Sequence, residues 1–393
     1  MCAFKSISGR PVKEGGTELT SVTKYSPLIA GPNGNDAMTF APPGSDTTNI
    51  LISNGPGSPP SFQTPPIPQM NFQVLASDPA SPDAGQVWYN STTALFKGAK
   101  VGAGTWTAKN AMNTARRGLG GAGDTSDGLS FGGFTTGVVG TTERWDGTNW
   151  TAKTGLNQAR NTPKGAGTAE DGLSFGGNNA SATSYANTEL YSGTGNTWTN
   201  KTSMNSARAP AGGAGTEASA LSFGGIVLPS TRNGITEEYV GGGTNTWTTK
   251  TAMNTTRASG GGSGSSSSSV IGYGGGNGGG ILSSTELYDL SGNSWANKSS
   301  MNTALQQFGT SNSTSATSLQ FGGYAATSII TQKYELAGDT WTTVTSMNTK
   351  RRLLAGCGSA SSALSFGGLD SGVLATTEEY DGSSTTIVTF TVT

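Results

Sequence analysis

Five glutamates recur at one position of a repeated segment, and they are the side chains of this sequence best suited to acid–base chemistry. They are Glu143, Glu189, Glu237, Glu286 and Glu378. Two suitably placed carboxylates suffice for glycoside hydrolysis, one as the acid and one as the base or nucleophile. Because all five occupy the same repeated position, we expect a shared structural hydrogen bond rather than catalysis.

Five arginines recur in the same register, namely Arg116, Arg160, Arg208, Arg257 and Arg351. We expect them to be structural as well, stacking on aromatic rings of the fold. The sequence contains no histidine, which removes the commonest general base and most zinc and copper sites. A metal site built from oxygen ligands stays open, although no Asp-rich loop indicates one. The prediction is therefore a protein without catalytic residues, metal or cofactor, and not an enzyme.

A glycine pair ends the segment "LSFGG", or a close variant of it, six times along the chain. The pairs are Gly132 and Gly133, Gly176 and Gly177, Gly224 and Gly225, Gly274 and Gly275, Gly322 and Gly323, and Gly367 and Gly368. A phosphate-binding loop is the alternative, but no "GK[ST]" follows any pair and no helix is predicted after it. We expect the pairs to let strand ends approach their neighbours near the axis of the fold, since glycine has no Cβ.

Aromatic residues keep the same period as the glycine pairs. Tryptophans fall 44 to 49 residues apart, at Trp106, Trp150, Trp198, Trp247, Trp295 and Trp341. A tyrosine, or Trp145 in the first unit, lies between them, and "M-N-x-x-R" or a variant follows each tryptophan. Segments such as "ALSFGG" and "TEEYDG" have the alternation and turn residues of short strands. Four short strands per period are typical of a propeller blade, with Tyr and Trp filling the wedge between blades.

The order Gly-Gly, Tyr, Trp at this spacing resembles the kelch repeat from Trp106 to the C-terminus. The resemblance implies an all-β fold: a six-bladed kelch-like β-propeller over residues 106–393. Seven tryptophan-strand equivalents exist for six blades, so Trp106–Lys109 and the C-terminal "TTIVTFTVT" compete for the last one. We expect the N-terminal strand to close the ring, or the two strands to lie side by side. Kelch propellers include copper oxidases, but their histidine ligands are missing here.

The first hundred residues have a different, proline-rich composition without the period. We predict an extended arm over residues 1–70 for virion attachment and oligomerisation, and a small β-hairpin module with a linker over 71–105. "NILISNGPGSPPSFQ" at Asn49–Gln63 resembles segments of tail-fibre and other appendage proteins of tailed bacteriophages. "SDPASPDAGQVWYNSTTALFKGA" at Ser77–Ala99 also resembles a phage structural module, and it predicts a hairpin of "QVWYN" and "ALFKG". An ordinary Pro/Gly linker is the alternative.

Composition narrows the class of protein further. Glycine makes up 61 of 393 residues and charged residues only 12%, which favours a turn-dense all-β chain. The formal net charge of −1 comes without a basic stripe, so we expect no nucleic-acid partner. No apolar run reaches the roughly 18 residues of a membrane span, so no membrane insertion is expected. The start lacks the apolar region of a secretory signal, which favours assembly in a cytoplasm.

These patterns favour a virion structural protein of a tailed bacteriophage: a tail fibre, a spike or a capsid-surface appendage. The arm is expected to bind other virion proteins and to hold a homo-oligomer, a trimer, together. The propeller is expected to bind a host-surface glycan or protein through its variable loops. The candidate receptor-binding residues are Phe134, Asn178, Asn179, Tyr185, Asn233 and Tyr324. A cellular kelch interaction scaffold and a carbohydrate-active enzyme are the alternatives.

Overall fold

The computed structural model consists of strands and turns, without a helix in the part of the chain that it describes. The described residues are 50–52, 61–63, 73–80, 82, 85–102, 104–181, 183–243, 245–312, 314–325, 329–382 and 385–390. Two compact units result: Met1–Lys100 with Thr385–Thr393, and Val101–Ser384. Most of the predicted arm lies outside the described residues.

The larger unit contains six four-stranded antiparallel sheets, which we number I to VI, with strands a to d in spatial order. Sheet I is Gly120–Gly123, Gly128–Phe131, Thr142–Trp145 and Trp150–Lys153; sheet II is Lys164–Gly167, Gly172–Phe175, Thr188–Ser192 and Thr197–Lys201; sheet III is Gly212–Gly215, Ser219–Val227, Thr231–Val240 and Thr246–Lys250. Sheet IV is Gly261–Ser266, Ser269–Tyr273, Thr285–Asp289 and Ser294–Lys298; sheet V is Gly309–Thr310, Thr317–Phe321, Thr331–Glu335 and Thr340–Val344; sheet VI is Ala355–Gly358, Ser362–Phe366, Thr377–Asp381 and Thr105–Lys109.

The a strands line a central axis. Each a strand contacts the a strand of the next sheet, and the a strand of sheet VI contacts that of sheet I. Four-stranded antiparallel sheets around a common axis fit a β-propeller, so the predicted all-β fold class is confirmed at this level.

The strand that completes sheet VI comes from the N-terminal side of the unit. Trp106 on this strand lies opposite Tyr380, in the register that Trp198 and Tyr191 share in sheet II. The indole of Trp106 donates to the hydroxyl of Thr331 at 3.1 Å, a bond that Ile387 of the competing strand has no donor to make. The C-terminal strand Thr385–Thr389 belongs to the smaller unit instead, so the predicted boundary of 106–393 differs from the structure here.

The described residues of the smaller unit form two sheets. Ile50–Ile52 pairs with Ser61–Gln63, and Gln73–Leu75, Val87–Asn90, Leu95–Val101 and Thr385–Thr389 form a mixed sheet. The hairpin predicted from "QVWYN" and "ALFKG" is confirmed, since its strands pair from Val87↔Gly98 to Asn90↔Leu95.

One carboxylate ties this hairpin to the segment before it. Asp78 accepts hydrogen bonds from the indole of Trp88 (3.1 Å), the amide of Asn90 (2.7 Å) and the ammonium of Lys97 (2.8 Å). The bond from Lys97 contributes most to lowering the pKa of Asp78 to about 2. The carboxylate therefore stays charged, and keeps its hydrogen bonds, even at mildly acidic pH.

Tryptophan forms the seam between neighbouring sheets of the larger unit. In sheet II the Trp198 ring packs edge-on against Phe131 of sheet I with centroids 5.3 Å apart, and its indole donates to the Thr142 hydroxyl at 3.0 Å. The other five d-strand tryptophans repeat this bond to the sheet before theirs, including Trp150 to Thr377 of sheet VI at 2.9 Å. All six seams, including the one between sheets VI and I, therefore have the same construction.

The glycine pairs serve the same seams. Gly132 and Gly133 have positive φ, of 65° and 109°. A Cβ on Gly132 would lie 2.7 Å from the carbonyl oxygen of Arg160, and a Cβ on Gly133 would lie 2.9 Å from that of Arg117. The Gly133 N–H donates to the Arg160 carbonyl at 2.9 Å, in the connection that leads into sheet II. The other pairs also have positive φ and make the corresponding bond. The repetition of "LSFGG" thus follows from close backbone approach at every seam.

Candidate functional site

The recurring arginines lie inside the sheets and are bonded to the recurring glutamates. Arg116 donates to Glu143 at 3.0 Å, to the Ser130 hydroxyl at 2.7 Å and to the carbonyls of Gly132 and Thr141. Both charged side chains are essentially unexposed, and burial lowers the pKa of Arg116 to about 10 although Glu143 opposes the shift. The predicted stacking on aromatic rings is wrong for these arginines, because their guanidinium groups satisfy backbone and side-chain oxygens instead.

The glutamates hold the "M-N" connections in place. Glu143 accepts the backbone N–H groups of Asn113 and Thr114 at 2.7 and 3.2 Å, and the other four recurring glutamates accept the equivalent pair. The predicted shared hydrogen bond is confirmed. A carboxylate that is buried, paired with arginine and bonded to two N–H groups belongs to the framework, so these five are poor candidates for acid–base chemistry.

Sheet V has an uncharged version of the same arrangement. Leu305 stands where the other sheets have arginine, and Gln332 stands where they have glutamate. Gln332 accepts the Thr303 N–H at 2.9 Å and donates to Gln320 at 3.0 Å, while Gln320 donates to the Gly322 carbonyl at 2.8 Å. Two amides therefore replace the guanidinium and the carboxylate and make some of their bonds, to one N–H of the connection and to the carbonyl of the first glycine of the pair. Both buried charges are absent here.

The axis offers little room for a ligand. Glycines of the a strands approach each other there, and the remaining space of about 40 Å³ holds ordered water at most. The half-buried Lys164 reaches from sheet II across this space and donates a long hydrogen bond of 3.5 Å to the carbonyl of Gly260, before sheet IV. Desolvation lowers the pKa of its ammonium to about 8, from an ordinary value of 10.5.

We expect the replacement of Lys164 to increase the free energy of unfolding, by an amount that depends on pH. The pKa of Lys164 is about 8 in the folded protein and 10.5 in the unfolded chain, so between these pH values the unfolded chain binds more protons. The free-energy cost of burying the charged ammonium is therefore fully present below pH 8 and decreases to zero towards pH 10.5. We expect Lys164→Met to be more stable than the parent at pH 7, by on the order of 1 kcal/mol after screening is discounted. Urea unfolding of both proteins at pH 7, 8.5 and 10 measures the difference.

The control for that experiment is Lys201→Met, at the end of an outer strand of sheet II. It removes the same charge without freeing space at the axis, so its effect on the free energy of unfolding should be small at every pH. A gain for Lys164→Met that does not shrink above pH 8 would contradict the assignment.

The long connections share one side of the sheets. We call the b-to-c connections and the d-to-next-a connections the long-loop side, and the a-to-b and c-to-d turns the short-turn side. In all six sheets the residue after the glycine pair bonds to a residue of the d-to-a connection, for example Phe134 to Arg117 and Asn178 to Asn161. The prediction that both kinds of connection emerge together is thus confirmed. The sheet III hairpin, which turns after Val227, extends furthest.

Four of the six predicted receptor-binding residues make hydrogen bonds within or between the long connections. Asn178 donates to the Thr162 hydroxyl at 2.9 Å, and Asn179 accepts two N–H groups of its loop. Tyr185 is half-buried and its hydroxyl accepts from Gln158 at 3.3 Å. Asn233 accepts the N–H of Ile235 at 3.2 Å. The structure places all four on the long-loop side: Asn178, Asn179 and Tyr185 lie in the b-to-c connection of sheet II, and Asn233 lies in the sheet III hairpin, which bonds to that connection from Leu228 to Ser184 at 3.0 Å.

The other two predicted residues, Phe134 and Tyr324, are aromatic rings covered by arginine. Arg117 lies over Phe134 with its Cζ 4.6 Å from the ring centroid, and Arg352 lies over Tyr324 at 4.9 Å. Phe134 is half-buried, whereas Tyr324 is 44% exposed. These are cation–π contacts at positions that face the solvent, where planar groups of a ligand could also stack.

Tyr324 borders a cleft on the long-loop side. The cleft has a volume of about 490 Å³, within the range of small-molecule sites. Its lining comes from sheets IV to VI: Ile281, Tyr324, Ala325, Lys350, Arg351, Arg352, Leu369 and Asp370. It combines an exposed ring, two cations outside the buried Arg–Glu pairs and one carboxylate, a set that suits polar, ring-shaped ligands.

Sequence reasoning missed Lys350, Arg352 and Asp370. A signal was present, because "MNTKRR" has Lys350 where the other five connections have Ala or Thr. The ammonium of Lys350 and the carboxylate of Asp370 lie 4.0 Å apart, with side chains 56% and 44% exposed. Such an exposed, long ion pair contributes little to stability, so its charges remain available to a ligand.

Comparison with known proteins shows the fold and no more. No protein-family model matches the chain, and no curated protein matches it in sequence. Solved structures do match, among them the structure of YjhT, with a TM-score of 0.54 and 12% sequence identity. The match covers 71% of this chain and 99% of that chain. Within the described residues, no helix has the length and apolar character to cross a membrane.

Proposed function

We propose that the chain is a virion structural protein of a tailed bacteriophage, a fibre, spike or capsid-surface appendage that binds the host surface. In this proposal the six sheets form a six-bladed propeller of the kelch type, and the proline-rich arm binds other virion proteins. The observation that supports the proposal is that repeated and variable residues occupy different places in the larger unit. Repeated residues build every seam, while the residues that differ between sheets collect in the long loops.

Differences between loops on a repeated frame are what a binding surface requires. The seams use the same Trp–Thr bond, glycine pair and, in five of six sheets, the same buried ion pair. The frame therefore fixes where each loop starts and ends, and the loop sequence can vary without cost to the core. An exposed tyrosine beside a cleft of about 490 Å³ supports glycan binding, since sugar rings stack on aromatic rings.

The assembly part of the proposal rests on the resemblance of Asn49–Gln63 to phage appendage proteins. Several copies held by the arm would present several clefts to one surface, and weak single-site binding would become strong through avidity. The mass of the intact protein in solution, measured by light scattering, tests this. Three copies are expected, and a monomer would contradict the arm's role in oligomerisation.

Host binding is tested with the fluorescently labelled full chain and cells that the phage infects. We expect Tyr324→Ala to reduce cell binding by about tenfold, because a stacking contact that becomes buried on binding is worth on the order of 1 kcal/mol and several copies multiply its effect. Val240→Ala is the matched control, since it truncates an exposed apolar side chain, 41% exposed, at the short-turn end of strand c in sheet III. Equal binding by the parent and Tyr324→Ala, or an intact virion that lacks the chain, would contradict the proposal.

A further inference from the structure

Exposed and half-buried basic residues collect on the long-loop side. Outside the buried Arg–Glu pairs, its d-to-a connections carry Arg117, Lys350 and Arg352, and Arg232 lies in strand c of sheet III, just after the b-to-c turn. Asp370 is the one carboxylate among the described residues of these connections. The chain as a whole has a formal net charge of −1, so this side is positive against an almost neutral background.

The short-turn side has the opposite charge. Its described turns contain seven acidic residues and no lysine or arginine, and the acidic residues are Asp124, Asp127, Asp146, Glu170, Asp171, Glu217 and Asp339. Arg144 of strand c in sheet I reaches Asp127 and Glu170 at 2.7 and 2.9 Å and compensates part of this charge. The turns remain strongly acidic, so the larger unit is polarised along the direction of its strands.

We propose that the long-loop side binds an anionic glycan, one whose sugars bear carboxylate or phosphate groups, with the cleft at Tyr324 as the main site. This inference rests on the proposed function and names the class of receptor. The b, c and d strands, of four to ten residues, separate the two sides by roughly 13 Å or more, beyond the Debye length of about 8 Å at physiological salt. An anionic surface therefore meets the basic side without cancellation by the acidic turns, and the acidic turns disfavour the reverse orientation.

The cleft has the chemistry for such a sugar. The Tyr324 ring is 44% exposed, and the Arg352 guanidinium, 4.9 Å from the ring centroid, lies where it can donate to an oxyanion on a sugar bound beside the ring. Arg352 also donates to Gln307 at 3.4 Å, a long bond that fixes its direction without neutralising its charge. Lys350 is paired only with Asp370, at 4.0 Å, and can exchange that partner for an anion of the ligand. Arg351 is excluded, because Glu378 neutralises it inside sheet VI.

The test measures binding of the full chain to polymers by isothermal titration calorimetry. The probes are polygalacturonate, which bears carboxylates, a phosphorylated dextran, and unmodified dextran as the neutral control. We expect binding to one or both anionic polymers, none to dextran, and a loss of affinity as salt rises from 50 to 300 mM. Lys350→Gln with Arg352→Gln should reduce affinity by at least about tenfold, because two charge-assisted hydrogen bonds are removed.

Two further variants make the result specific. Asp370→Asn should strengthen binding, since it removes the carboxylate that competes for Lys350. Lys153→Gln with Lys201→Gln, at the ends of outer strands in sheets I and II, changes the charge by the same amount away from the cleft and should leave affinity unchanged. Thermal unfolding of each variant shows whether the fold is retained.

The outcomes separate this inference from the proposed function. Cell binding that is insensitive to salt and to Lys350→Gln with Arg352→Gln, together with binding to neutral dextran, would overturn the anionic class while the host-binding function stands. Equal loss of affinity in the cleft pair and the control pair would overturn the cleft as the site. A chain that binds no host cells would overturn the proposed function itself.

Discussion

Replacing Arg116 by Leu alone is expected to destabilise the larger unit by about 3–5 kcal/mol, because the change leaves Glu143 buried and without a counter-charge. The carboxylate would keep the N–H groups of Asn113 and Thr114, at 2.7 and 3.2 Å, but would lose the guanidinium 3.0 Å away. The carbonyls of Gly132 and Thr141 would lose donors at 2.8 and 2.7 Å. Urea unfolding followed by tryptophan fluorescence measures the change in the free energy of unfolding.

Sheet V supplies the matched control for this experiment. Arg116→Leu with Glu143→Gln and Ser130→Gln reproduces in sheet I the residues Leu305, Gln332 and Gln320. Since both charges leave together and two amides can make the bonds seen in sheet V, we expect the triple variant to recover most of the loss. A triple variant as unstable as Arg116→Leu would show that the two arrangements are not interchangeable between sheets.

The protein folds with five buried ion pairs although sheet V shows that one such position works without charge. Burial lowers the pKa of Arg116, Arg160 and Arg351 to about 10 although their glutamate partners oppose the shift, because the surroundings are unfavourable for a cation. Replacing a buried pair by a neutral set of similar shape is often neutral or stabilising, whereas removing one partner is costly. The pairs therefore contribute mainly the orientation of the "M-N" connections, and their net contribution to stability is small.

The repeated part of the fold could be predicted because every repeat contains the same residues for packing one sheet against the next. "LSFGG" predicts close approach by glycine, and the structure shows why: a Cβ on Gly132 would meet a carbonyl at 2.7 Å. The periodic tryptophans predict a seam, but the sequence left two candidate strands for sheet VI, and the structure shows that the Trp106 strand completes it. The hydrogen bonds of Arg116 were not predictable in the same way, because the sequence shows that arginine recurs with glutamate but not which oxygens surround it.

The candidate site was less predictable, since the sequences of the long loops do not repeat from one sheet to the next. Aromatic and amide residues of the long loops were natural candidates, but Asn179 and Asn233 serve their own turns. Lys350 and Arg352 give the cleft its positive charge. They flank Arg351 in "MNTKRR", and the sequence alone does not distinguish them from this recurring, buried arginine. Only the structure separates Arg351, paired with Glu378, from its neighbours, which face the cleft.

Truncating Trp198 to Ala is expected to cost about 3–5 kcal/mol, the range for removing a buried indole. Trp198 is 5% exposed, packs on Phe131 and Tyr191 with centroids 5.3 and 5.2 Å away, and donates to Thr142 at 3.0 Å. Because the six seams are alike and close on themselves, weakening one leaves five to hold the ring. We therefore expect one cooperative transition at lower denaturant rather than separate loss of sheets I and II.

Two companion variants divide this effect into its parts. Thr142→Val keeps the volume but leaves the indole N–H buried without its acceptor, so a loss of about 1–3 kcal/mol is expected. Tyr324→Ala truncates an aromatic ring that is 44% exposed, and its free energy of unfolding should change by no more than about 0.5 kcal/mol. A loss for Trp198→Ala no larger than that of Tyr324→Ala would mean that this seam does not hold the sheets together. Hydrogen exchange locates the weakened seam: the amides that lose protection first should be those of Thr142–Trp145 and Thr197–Lys201, on its two sides.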